Sequence, residues 1–165
     1  MFKHLILVAW IVAFSGLPAS AQESLVTYRA LTPEQAVKAA QAALGLCRTS
    51  GFQVSVAVVD RGGNVQVIIR DRYAGPHTPD ASVAKAWTAV SFRTNTSDLV
   101  NPTLAGKLQS GARNIPGALM LGGGVIMESN GLIVGGIGVS GAPGGAQDEY
   151  CAKAGLEAVT EALNF

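Results

Sequence analysis

The chain has 165 residues, with 12 Lys and Arg against 11 Asp and Glu; 14% of its residues are charged and 48% are hydrophobic. That balance supplies no basic field to hold a phosphate backbone, so nucleic acid is not an expected partner. Neither cysteine, Cys47 or Cys151, has a neighbouring Cys or His, which argues against a thiolate metal site.

Lys3 and His4 open the chain with positive charge, Leu5 to Phe14 form an apolar run of ten, and Ala19-Ser20-Ala21 offers small residues for cleavage. A run of ten is about half of what spans a bilayer. Residues 1–21 therefore read as a secretory signal peptide. What remains is one domain over 22–165, periplasmic or secreted, with no membrane attachment after cleavage. Losing Lys3 takes the formal charge from +1 to zero, and a neutral domain rich in Ala and Gly is expected to form a homo-oligomer.

Thr32-Pro33-Glu34-Gln35 has the chemistry of a helix start, with Thr32 as N-cap, Pro in the first turn and Gln three residues on. Val37, Ala40, Leu44 and Cys47 recur at helical spacing up to about Thr49, and Gly51 is a stop. Val54 to Val59 and Val65 to Arg70 form strands around the Asp60–Asn64 turn, a hairpin. A loop with two prolines spans Arg72 to Pro79. Asp80 is expected to cap a helix through Ala81, Ala84, Trp87, Thr88 and Ser91, and less regular helix is expected over Thr96–Val100 and Pro102–Ala112. A second hairpin, Val125–Met127 with Leu132–Val139, turns at Ser129-Asn130-Gly131, and a closing helix runs from about Gln147 to Leu163. Strands in hairpins between helices favour an α+β fold with an antiparallel sheet over a Rossmann sheet. If the terminal helices run antiparallel on one face, Cys47 and Cys151 meet. An oxidising compartment then permits a disulfide, the alternative being two buried thiols.

Ten of the 20 glycines fall between Gly122 and Gly145, which implies tight turns or close approach of another segment to the backbone. Two catalytic spellings in this stretch fail. Gly136-Ile137-Gly138-Val139-Ser140-Gly141 spells a dinucleotide fingerprint, but one helix and no strand follow, so neither nicotinamide nor flavin is expected. Gly138 to Ala142 approaches a nucleophile elbow, but its last glycine is replaced and no histidine lies downstream.

The only histidine of the mature chain is His77, restrained between Pro76 and Pro79 and close to Arg72 and Tyr73. A lone His suits an axial haem ligand or a general base; its bland alternative is a loop residue in water. Haem attached through thioethers is excluded, since no Cys-x-x-Cys-His motif exists. Asp60 and Asp148 are expected to hold a turn and a helix start rather than to catalyse. Lys85 either faces solvent or lines a ligand pocket near His77.

Four ordered blocks resemble the GlcG/HbpS-like family: Ala57 to Asn64 (Ala-Val-Val-Asp-Arg-Gly-Gly-Asn), Lys85-Ala86-Trp87-Thr88-Ala89, Gly135 to Gly141 ending Gly-Val-Ser-Gly, and Gln147-Asp148-Glu149-Tyr150-Cys151-Ala152. The resemblance covers about Leu31 to Ala162. It implies a profilin-like α+β fold, an antiparallel sheet built from two hairpins flanked by helices, assembling as oligomers. Family members include secreted haem-binding proteins, some reported to degrade haem or bind iron, and domains attached to cobalamin enzymes. Others sit in glycolate-utilisation operons. Many members run Arg-Met-Asp-Gly-Ala after the second strand, where this chain has Arg70-Asp71-Arg72-Tyr73-Ala74-Gly75-Pro76-His77-Thr78. The expected function is binding of a tetrapyrrole, haem, as carrier, sensor component or scavenger. His77 would meet iron, with Tyr73 as the next ligand candidate, and Arg70, Arg72 or Lys85 would meet propionates. The competing readings are an enzyme for a small carboxylate or hydroxy acid, with His77 as base and an arginine clamp, and a structural oligomer.

Overall fold

The computed structural model describes residues 26–164, so the signal peptide expected over residues 1–21 lies outside the described residues. Helix α1 spans Pro33–Thr49, and Thr32 caps it by accepting the Gln35 N–H at 3.4 Å. The helix stops where Gly51 turns to φ 81° and the Phe52 N–H reaches back to the Cys47 carbonyl. Strands β1 (Ser55–Asp60) and β2 (Val65–Arg70) form the first hairpin. Asp60 closes its turn, accepting the Asn64 N–H at 2.8 Å. Burial raises the Asp60 carboxyl, but the Asn64 side chain and the turn amides outweigh it and hold the group below its usual value.

Strands β3 (Gly124–Ser129) and β4 (Leu132–Ser140) form the second hairpin. Asn130 (φ 51°) and Gly131 (φ 76°) both take the left-handed conformation that a two-residue hairpin loop requires. The four strands lie in the order β2-β1-β4-β3, all antiparallel, so the hairpins join through the central strands β1 and β4. This is the α+β architecture expected from the sequence.

The sheet separates two unlike layers. On one face α1 packs beside α4 (Gly145–Leu163), over Val56, Val58, Ile137 and Val139. The approach is close because α1 presents Ala36, Ala39, Ala40 and Ala43, and a Cβ on Gly155 would stand 2.7 Å from the Ala39 carbonyl oxygen. A disulfide joins Cys47 to Cys151 across this helix pair, with Cα atoms 5.6 Å apart.

On the other face lies α2 (Thr78–Phe92), pressed directly onto backbone. Gly124, Gly136 and Gly138 lie beneath it, and an added Cβ at any of them would meet carbonyls of Lys85, Ala86 or Ser82. That is the structural use of the glycine-rich stretch. Gly138→Ala would set a methyl 2.7 Å from the Ala86 nitrogen, so α2 must lift off the sheet. We expect a loss of about 1–3 kcal/mol in urea unfolding, the usual cost of overpacking.

Two expected boundaries differ. Helix α2 begins at Thr78 with His77 at its N-cap, because Pro79 fits the first turn, so Asp80 is inside the helix rather than its cap. The helix expected over Pro102–Ala112 is absent. After α3 (Thr96–Val100) the chain makes turns and one short 3-10 segment, Ser110–Asn114. Side chains compensate there: Thr96 and Asn95 accept the N–H groups of Gly124 (2.8 Å) and Ile126 (3.1 Å) on edge strand β3.

Candidate functional site

The starts of α2 and α4 open onto one cleft of about 460 Å³, bounded by Gly75, His77, Thr78, Leu121 and the Ser140–Gly145 bend. Lys85 and Asp148 form its floor. Lys85 is wholly buried and donates to the Asp148 carboxylate at 2.6 Å and to the Val139 carbonyl at 2.9 Å. Asp148 also accepts the Ala142 N–H at 2.9 Å, which ties the bend to the first turn of α4. Burial pushes the Asp148 carboxyl upward, against the pull of the Lys85 hydrogen bond and charge and of two backbone amides. The chemistry is that of an internal ion pair, a strong tie only while both partners are present.

Of the two readings of Lys85, the solvated face is overturned and the place lining a pocket with His77 is the one found. Its ammonium is already held by Asp148 and the Val139 carbonyl. Asp148 does lie in the first turn of α4, but its carboxylate turns inward instead of meeting solvent.

His77 sits on the rim with its side chain exposed, and its imidazole makes no hydrogen bond among the described residues. The loop that delivers it is anchored by Asp71, which is only 3% exposed and accepts from both Nε (2.7 Å) and Nη2 (3.0 Å) of Arg48. Tyr73 stands 77% exposed with the Arg72 guanidinium 6.0 Å from its ring centroid. Arg70 gives Nη2 to the Ala74 carbonyl and so braces the loop. Structure therefore places Lys85 and His77 on the same cleft and Arg72 and Tyr73 on the loop outside it. Arg48, Asp71 and Ser140 were not anticipated. A buried Asp one residue after a strand was the available signal for Asp71, but its partner lies 23 residues away.

The bidentate bond from Arg48 lowers the Asp71 carboxyl below its usual 3.8, with burial opposing. A depressed carboxyl contributes stability above its unfolded value and loses it as pH falls through the folded one. Wild-type protein should therefore lose thermal stability on acidification. That acid-side loss should be shallower in Arg48→Met, measured as melting temperature against pH. Half of the Arg48 side chain is in water (53% exposed), so added salt should shrink the difference.

Among the described residues, no group of three or more His, Cys, Asp or Glu side chains is placed to hold a metal ion, and no helix is long and apolar enough to cross a membrane. The fold and its blocks match known proteins. A family model described as haem degrading protein HbpS-like matches residues 31–157. The chain belongs to the HbpS-like family. A double mutant of HbpS from Streptomyces reticuli is 40% identical with a TM-score of 0.77, covering 92% of this chain and 97% of its own. The PduOC:heme complex is 27% identical with a TM-score of 0.73, over 78% of this chain and 94% of that one. A 15.0 kDa protein from the dhaT-dhaS intergenic region of Citrobacter freundii is 31% identical, over 79% of this chain and 93% of its own.

Proposed function

We propose that this HbpS-like protein binds haem, with His77 at the mouth of the cleft as the iron ligand. The observation that carries the reading is the exposed imidazole of His77, without a hydrogen-bond partner among the described residues, beside a cleft of about 460 Å³. A bare metal ion needs several protein ligands, and the cleft offers a single imidazole. Iron held by a porphyrin needs only one or two axial ligands, so this donor set fits haem. Bound haem would supply an iron centre. The chain's part is to orient it through His77 and to meet carboxylates at the loop through Arg72. Support from relatives is of the same kind: the family is described by haem degradation, and PduOC forms a complex with heme.

The protein acts after export through residues 1–21, as a periplasmic or secreted carrier, sensor component or scavenger. The Cys47–Cys151 disulfide supports an oxidising compartment. Self-association fits the exposed apolar side chains Leu104, Leu108, Ile115 and Leu121.

The test is the haem spectrum of His77→Ala. Removing the imidazole should shift the Soret band toward a high-spin or five-coordinate form and weaken binding. Stability should change by less than about 0.5 kcal/mol, since the side chain is exposed. A spectrum and affinity equal to wild type would remove His77 from the site and make Tyr73 the ligand to test.

A further inference from the structure

The cleft holds a polar group that the fold does not use. Ser140, the last residue of β4, is only 5% exposed and lines the cleft, yet its hydroxyl has no hydrogen-bond partner among the described residues. Its neighbours in the cleft are two helix starts. The N-terminus of α1 is closed by the Thr32 hydroxyl, but neither α2 nor α4 has a side-chain cap. The N–H groups of Gly145 and Ala146, in the opening turn of α4, have no acceptor among the described residues. Amides at a helix start point out along its axis toward the positive end of the dipole, where an anion is favoured. Below them, the Lys85 and Asp148 charges cancel, and one of the three ammonium hydrogens of Lys85 is unused by its two acceptors.

We propose that this cleft is a carboxylate-binding site, in which the Ser140 hydroxyl and the opening amides of α4 hold the two oxygens of a carboxylate above the Lys85–Asp148 pair. A planar carboxylate suits these converging donors better than a tetrahedral phosphate, whose further oxygens would face the Asp148 carboxylate lining the same cleft. The carboxylate belongs either to a free small acid or to a porphyrin propionate. The site stands whether or not haem binds.

Two variants test it without disturbing the fold. Ser140→Ala deletes a hydroxyl that bonds nothing in the fold. Gly144→Asp places a carboxylate at the α4 N-cap, where φ is −165° and any residue is accommodated. Calorimetric titrations of wild type and both variants use oxalate, inorganic phosphate, haemin and haemin dimethyl ester. Loss of one hydrogen bond to a charged ligand should weaken oxalate about 10-fold in Ser140→Ala. Gly144→Asp should abolish oxalate binding, with unfolding midpoints of both variants at or above wild type. If haemin weakens similarly in Ser140→Ala and on esterification, the carboxylate is a propionate. If haemin ignores both changes while oxalate responds, the carboxylate is that of a free acid. The assignment is overturned if neither oxalate nor haemin affinity responds to the two variants, or if phosphate binds more tightly than oxalate. Wild type that takes no haemin ends the haem reading alone, and the oxalate titrations then decide the carboxylate site.

Discussion

Lys85→Met should cost about 3–5 kcal/mol in urea unfolding at neutral pH, because it strands the Asp148 carboxylate in the interior without its cation. The isosteric side chain keeps most of the packing under α2, so little of that loss comes from a cavity. Wild-type Lys85 has no exposed surface and gives Asp148 a 2.6 Å bond, a donor and a charge that methionine does not supply. Domains of this kind are stable by about 5–15 kcal/mol in total, so the variant should be marginal at body temperature. Two further measurements separate charge from packing. Adding Asp148→Leu to Lys85→Met should recover much of the loss, since an apolar pair of similar volume is often as good as a buried ion pair. The single variant should also be less destabilised in mild acid, because burial already favours the protonated carboxyl of Asp148 and no lysine would oppose it.

Replacing both Cys47 and Cys151 by alanine should lower stability by about 2–5 kcal/mol. The bond closes a loop with a sequence separation of 104, so most of the described chain lies between its ends and the unfolded ensemble is strongly restricted by it. Both cysteines are fully buried among alanines, and the alanine pair leaves only a small void between α1 and α4. The loss is therefore expected mainly as easier unfolding, with the native far-ultraviolet circular dichroism preserved below the transition. Equal urea midpoints for the wild type and the double variant would mean that helix packing alone sets the position of α4.

What could be read from sequence was the chemistry that acts over a few residues. Thr32 and Gln35 mark a helix start because the cap bond spans one turn, and Asn130-Gly131 marks a hairpin because only such residues take two positive φ values in succession. Asp60 was legible for the same reason. The start of α2 was displaced because an acid and a proline compete for the cap, and Pro79 fits only just inside it. Over 101–117 a scatter of Gly and Pro broke the helix that a few apolar residues had implied. The site itself depends on long-range geometry. Lys85 and Asp148 are 63 residues apart, and a lysine on an alanine-rich helix reads as either solvated or lining a pocket until the sheet's glycines bring that helix down onto β4. Ser140 was hidden inside a glycine motif whose familiar meanings had both been rejected. The resemblance to the HbpS-like family gave the fold together with an expectation of the ligand class, while the loop from Asp71 to His77, where this chain departs from the pattern, had to be placed by structure.

Haem binding is tested most directly by titrating the purified protein with haemin and following the Soret region. The account predicts a saturable shift at one haemin per chain, with the bound protein melting at a higher temperature, as binding to the folded state requires. A spectrum that stays that of free haemin, with an unchanged melting temperature, would contradict it.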